Sequence, residues 1–132
     1  MKKQVGGIKM GQYFIIVNKQ LDEYINPHEF GDGAKLLEFG SSGAGTMTAL
    51  ALLLRQSSEG GGGDYYGDDT EYVGRWAGCK IVIVGDYDES ELYDIAQKEY
   101  TNVSKGIRDI MVDDLGYKYK IHEEGGFVSR GE

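Results

Sequence analysis

Leu36-Leu37-Glu38-Phe39-Gly40-Ser41-Ser42-Gly43-Ala44-Gly45-Thr46-Met47-Thr48-Ala49-Leu50-Ala51-Leu52-Leu53-Leu54 is the stretch on which the fold turns. A short apolar run enters a Gly/Ser loop, and the loop opens into the most apolar and helix-prone segment of the chain. No charge interrupts that segment before Arg55, which predicts a buried helix from Thr46 to about Gln56. Thr46 is the expected N-cap, its hydroxyl accepting from an early helical N–H. Residues 34–39 read either as a short strand or as one helical turn, because the run is too short for periodicity to decide. As a strand, residues 36–39 would make the helix a right-handed crossover to the apolar run at 79–84. Residues 40–45 and 85–88 would then share the carboxyl edge of the sheet, where open α/β sheets bind ligands. As a helix, that convergence is lost.

The flanking segments are easier to read. Tyr13-Phe14-Ile15-Ile16-Val17 is a central strand by its unbroken β-branched and aromatic content, and Glu23-Tyr24-Ile25 returns beside it. Asn26-Pro27 stops that strand. Cys79-Lys80-Ile81-Val82-Ile83-Val84 reads as a strand covered on both faces. Residues 89–100 and 105–115 carry helical apolar spacing, the second with Ser104 as N-cap and Gly116 as terminator. Tyr117-Lys118-Tyr119-Lys120-Ile121 alternates as an edge strand should. Residues 1–10 read as a flexible leader, 57–69 as a mobile glycine-rich loop, and 123–132 as a polar tail. The expected fold is a single compact α/β or α+β domain over residues 11–122, with a mixed sheet of about four strands and about three helices.

Composition narrows the function classes. The 22 acidic residues outnumber 14 basic ones, giving a net charge of −8 that disfavours nucleic acid and anionic membrane. Compatible partners are a small anionic ligand in a locally screened pocket or a basic protein surface. A lone cysteine, Cys79, excludes an internal disulfide. No run reaches transmembrane length and no signal peptide is apparent, so a cytoplasmic location is expected.

Several motifs stand together: Gly11-Gln12-Tyr13, Asn26-Pro27-His28-Glu29-Phe30-Gly31-Asp32-Gly33, Lys35-Leu36-Leu37-Glu38-Phe39-Gly40 and Gly45-Thr46-Met47-Thr48-Ala49-Leu50. Gly61-Gly62-Gly63-Asp64, Trp76-Ala77-Gly78 and Gly85-Asp86-Tyr87-Asp88 complete the set. Over about residues 11–115 the chain resembles a family of small bacterial and phage-borne proteins that carries no assigned function. The resemblance implies a compact cytosolic domain and transfers no catalytic residue. Occurrence in phage adds one class, a protein that evades host defence by inhibiting a protein or sequestering a signalling nucleotide.

The loop at residues 40–48 has the glycine spacing of a phosphate-binding P-loop, but Thr46 stands where the lysine is needed. Triphosphate hydrolysis is therefore not expected. An anion seat built from backbone N–H groups at Gly43 and Gly45 and the hydroxyls of Ser41, Ser42, Thr46 and Thr48 remains open. Arg75 and Trp76 are clamp candidates for a phosphate and a base; Trp76 as a core residue and Arg75 as a surface charge is the alternative. Asp86 and Asp88 could hold Mg²⁺ with ligand phosphates, or simply end a strand. His28 with Asp32 could form an acid–base pair or supply a metal ligand, or only bond the local backbone. The leading expectation is a cytosolic binding module for a small phosphate-bearing ligand, including a nucleotide, without an assigned catalytic residue. The alternatives are an acidic protein-interaction or inhibitor protein, and a metal-assisted phosphohydrolase.

Overall fold

A computed structural model describes residues 11–57, 59–123 and 125–131. Its centre is a four-stranded mixed sheet in the order β3-β1-β2-β4, from β1 (Phe14–Asn18), β2 (Glu23–Ile25), β3 (Ile81–Gly85) and β4 (Thr101–Asn102). β1 pairs antiparallel with β2 and β3, and β2 pairs parallel with β4. The helices are α1 (Leu36–Gly40), α2 (Thr46–Leu54), α3 (Leu92–Glu99) and α4 (Ser104–Leu115). A separate antiparallel hairpin joins β5 (Tyr119–Ile121) to β6 (Val128–Arg130). The fold is α+β. The expected leader at 1–10 lies outside the described residues.

The continuous apolar run of β1 is explained by cover on both faces. Phe14 and Ile16 point into the larger core, where Phe30, Phe39, Leu53, Trp76, Ile107 and Met111 lie fully buried between the sheet and α2 and α4. Ile15 and Val17 point the other way, onto Val84 and the fully buried Ala96 of α3. Alternation with a period of two thus feeds two cores from one strand. The β1–β2 turn is fixed by Asn18, whose buried Oδ1 accepts the N–H groups of Gln20 and Leu21 at 2.9 Å each.

The ambiguous stretch 36–39 folds as helix α1, not as a strand. Glu38 turns its carboxylate back to accept the Lys35 N–H at 3.0 Å, and Phe39 is buried while Leu37 stays in solvent. One buried position per turn suits a helix; a strand would bury alternate residues. Because β3 also runs antiparallel to β1, α2 is no βαβ crossover. The shared carboxyl edge expected for residues 40–45 and 85–88 does not form.

Four further expectations are corrected. β3 is the edge strand of the sheet, and Ile83 is 43% exposed, so it is not covered on both faces. Ser104 begins α4 rather than capping it; its Oγ accepts the Asn26 N–H at 2.9 Å, while Asn102 Oδ1 accepts the Ser104 N–H. The alternating stretch at 117–121 contributes its strand to the hairpin, not to the main sheet. The polar tail contains β6, whose Val128 is buried. Gly116 does close α4, in the left-handed region at φ 73°. Among the described residues no helix is long and apolar enough to cross a membrane.

Candidate functional site

The entrance of α2 is already filled by an anion, and the anion is the protein's own. Asp32 Oδ2 accepts the Thr46 N–H at 2.8 Å and the Thr46 hydroxyl at 2.7 Å. Its Oδ1 accepts from Arg130 Nη1 at 2.5 Å, and the same guanidinium nitrogen donates to the Phe30 carbonyl at 3.0 Å. The Asp32 side chain is 1% exposed. The carboxylate occupies the place where the helix dipole and the free N–H groups favour negative charge. Thr46 is therefore the first helical residue and a donor, and Gly45 is the N-cap. A Cβ on Gly45 would collide with the Asp32 carboxylate and with Arg130 Nη1.

Hairpin β5–β6 closes over this cluster. Gly31, at φ 75°, lets β6 cross so closely that a Cβ there would sit 2.9 Å from the Arg130 nitrogen. Tyr119 donates its hydroxyl to the Ala44 carbonyl at 2.5 Å, and burial pushes its phenol up to about 12. The sequence reading missed both Asp32 as a cap and Arg130. The Gly31-Asp32-Gly33 motif signals an unusual turn, but nothing local names a partner 14 or 98 residues away.

The other hydroxyls of the loop are turned inward on their own backbone. Ser41 donates to the Leu37 carbonyl at 3.2 Å, and Thr48 to the Gly43 carbonyl at 2.6 Å. Ser42 donates to the Phe39 carbonyl at 3.0 Å and accepts the Met47 N–H at 3.3 Å. They end α1 and begin α2.

Arg75 and Trp76 converge on Glu23, not on the α2 entrance. Arg75 Nη2 meets Glu23 Oε2 at 2.6 Å, and Trp76 Nε1 donates to Glu23 Oε1 at 2.8 Å. Trp76 has no exposed surface on which a base could stack. Burial pushes the Glu23 carboxyl up, but the hydrogen bonds from Arg75 and Trp76 and the charge of Arg75 outweigh it and hold the group below its ordinary value.

The acidic candidates end β3 as turn residues. Asp86 Oδ1 accepts the Tyr13 N–H at 3.1 Å, and Asp88 accepts the Ser90 N–H at 3.1 Å and the Ser90 hydroxyl. His28 Nδ1 lies 3.1 Å from the Asp32 carbonyl oxygen, so the histidine meets the Asp32 backbone while the carboxylate faces Thr46. Among the described residues, no three His, Cys, Asp or Glu side chains cluster as metal ligands.

A different surface gathers charge. The segment after the tetraglycine run is tied down by Asp64, which takes Arg55 Nε at 2.8 Å and Nη2 at 3.1 Å. Those bonds, led by the Arg55 contact, lower the Asp64 carboxyl to about 2. Tyr65 then inserts and donates to Asp114 Oδ2 at 2.6 Å, joining the loop to the end of α4. On one side of this junction a groove of about 540 Å³ lies between Leu52, Arg55, Tyr65, Leu115 and Tyr117. On the other, a groove of about 360 Å³ is lined by Asp69, Glu71, Tyr72, Lys105, Asp109 and Ile110. Asp68, Asp113 and Asp114 are exposed around them. The cations beside these carboxylates, Arg55 and Lys105, are engaged with Asp64 and Asp109.

Comparison of the chain with protein-family models, curated proteins and solved structures returned no match.

Proposed function

We propose that this protein is a cytosolic protein-interaction module whose acidic face, where residues 64–71 lie against α4, receives a basic segment of a partner protein. The observation that carries the reading is the second groove, lined by Tyr72 and Ile110 together with Glu71, Asp109 and Asp69, whose Oδ2 accepts the Tyr72 and Val73 N–H groups at 2.8 and 2.9 Å. A lysine or arginine side chain matches that chemistry, its aliphatic stem on the ring and its charge on the rim. The local cation, Lys105, meets Asp109 at 2.9 Å with both side chains more than half exposed, and a partner's cation can replace it at little cost. The net charge of −8 speeds encounter with such a partner.

The phosphate-ligand reading is supported less well. At the α2 entrance a phosphate would have to displace Asp32 from Thr46, and the clamp candidates Arg75 and Trp76 are spent on Glu23.

Fluorescence anisotropy with a labelled lysine- and arginine-rich peptide tests the proposal. The expected result is saturable binding that weakens steeply with salt and is lost in the Asp68→Lys/Glu71→Lys variant. Equal binding by wild type and that variant would remove the acidic face from the account.

A further inference from the structure

We propose, resting on the basic-partner reading above, that the segment received by the acidic face also carries a bulky apolar side chain a few residues from its cation, and that this side chain fills the first groove. Tyr65 is the wedge between the two grooves. It is buried, and its hydroxyl donates to Asp114 Oδ2 at 2.6 Å while accepting the Asp69 N–H at 3.0 Å. Asp69 lines the second groove, and Asp114 directly precedes Leu115, which lines the first. One hydroxyl thus ties both grooves to a common rim. Gly67 lets the loop press onto that rim, since a Cβ there would collide with Asp114 Oδ2.

The first groove suits an apolar side chain. Ala51 and Leu52 of α2, Leu115 at the end of α4 and Tyr117 line it. The polar groups in its lining are already engaged: Arg55 holds Asp64 through bonds of 2.8 and 3.1 Å, and the Thr48 hydroxyl donates to the Gly43 carbonyl. α2 carries no charged residue, yet Ala51 and Leu54 are exposed. Charge decides what covers this surface. Asp68 and Asp114, both exposed, stand where the two grooves meet. A second copy related by a twofold axis would set those carboxylates against their own counterparts, and a net charge of −8 opposes that approach. A segment with lysine or arginine near an apolar residue complements the carboxylates and the groove together. Ile110 of the second groove and Leu115 of the first belong to one helix. Their rise of about 7.5 Å and the turn about the axis put their outer ends about 12 Å apart. An extended segment covers that in about three to four residues.

Fluorescence anisotropy with labelled peptides of equal charge tests the assignment. One peptide sets lysine and arginine in a glycine and serine background; two others add a single leucine about three residues before or after the cations. One leucine peptide should bind about tenfold tighter than the leucine-free one, the contribution of burying one such side chain. Ala51→Gln places a longer polar side chain at an exposed position of α2. It should cancel that gain, leave the leucine-free peptide unchanged and keep the wild-type circular dichroism. Equal binding with and without leucine overturns the proposal and leaves the basic-partner reading standing. A leucine gain that survives Ala51→Gln overturns it as well, because the side chain then sits elsewhere. Binding by none of the peptides removes both. Sedimentation equilibrium of the wild type at up to about 1 mM should show a monomer. A dimer abolished by Ala51→Gln would give the groove to a second copy and overturn the proposal.

Discussion

Asp32 and Thr46 are joined by two hydrogen bonds to a single carboxylate oxygen, one from the Thr46 backbone and one from its hydroxyl, at 2.8 and 2.7 Å. The pair decides what the glycine loop can do. A loop that reads as a seat for an external anion is closed by an internal one, and Arg130 of the last strand neutralises that anion from the other side.

Removing this carboxylate should therefore be costly. Asp32→Ala leaves the Thr46 donors and the Arg130 guanidinium without their acceptor in a buried place, and a loss of about 3 kcal/mol is expected in urea unfolding. Asp32→Asn keeps an acceptor for Thr46 and should lose less. If Asp32→Ala unfolds at the wild-type midpoint, the cap contributes nothing.

Glycine substitutions in the same loop should separate sharply. A methyl at Gly45 collides with Asp32 and Arg130, whereas one at Gly43 meets nothing within 4 Å. Gly45→Ala should lose about 2 kcal/mol and Gly43→Ala almost none, read from thermal melts.

The Glu23 cluster ties the start of β2 to the loop after α2. Glu23→Gln removes the charge-assisted bonds from Arg75 while leaving an acceptor for Trp76, with an expected loss of about 2 kcal/mol. A double-mutant cycle with Arg75→Met should show coupling well above that of an exposed pair.

Acid unfolding follows from the same groups. The Glu23 and Asp64 carboxyls are both held below their ordinary values, 4.5 and 3.8, the second at about 2. A depressed carboxyl contributes fully above its unfolded value, and the contribution disappears as pH falls through the folded value. The melting temperature should thus fall between about pH 5 and about pH 2, and Glu23→Gln and Asp64→Asn should each flatten that limb. A slope unchanged in both variants would contradict the assignment.

Local chemistry made much of the fold legible. The β-branched run of β1, the return at β2, the apolar stripe of α4 and the stop at Gly116 are set by nearest neighbours and period, so they can be read along the chain. What could not be read is pairing at a distance. Residues 36–39 are too short for periodicity, and helix α1 is chosen by Glu38 turning back to Lys35 and by burial of Phe39 alone. β3 has the composition of a central strand, but its place at the edge depends on which strands flank β1. The candidate site fared least well for the same reason. Arg75, Trp76, Thr46 and Asp86 are the residue types a ligand needs, and also the types that tie loops to helices. Their partners lie far along the chain: Glu23 is 52 residues from Arg75 and 53 from Trp76, Asp32 is 14 from Thr46, and the Tyr13 backbone is 73 from Asp86.

The most direct measurement is an amide-resolved NMR titration of the folded chain, run once with a lysine- and arginine-rich peptide and once with a panel of nucleotides. The account predicts that the peptide moves amides in residues 64–72 and 105–116, and that the nucleotides leave residues 42–48 unmoved. Nucleotide-induced shifts at 42–48, with the acidic face silent to the peptide, would contradict it.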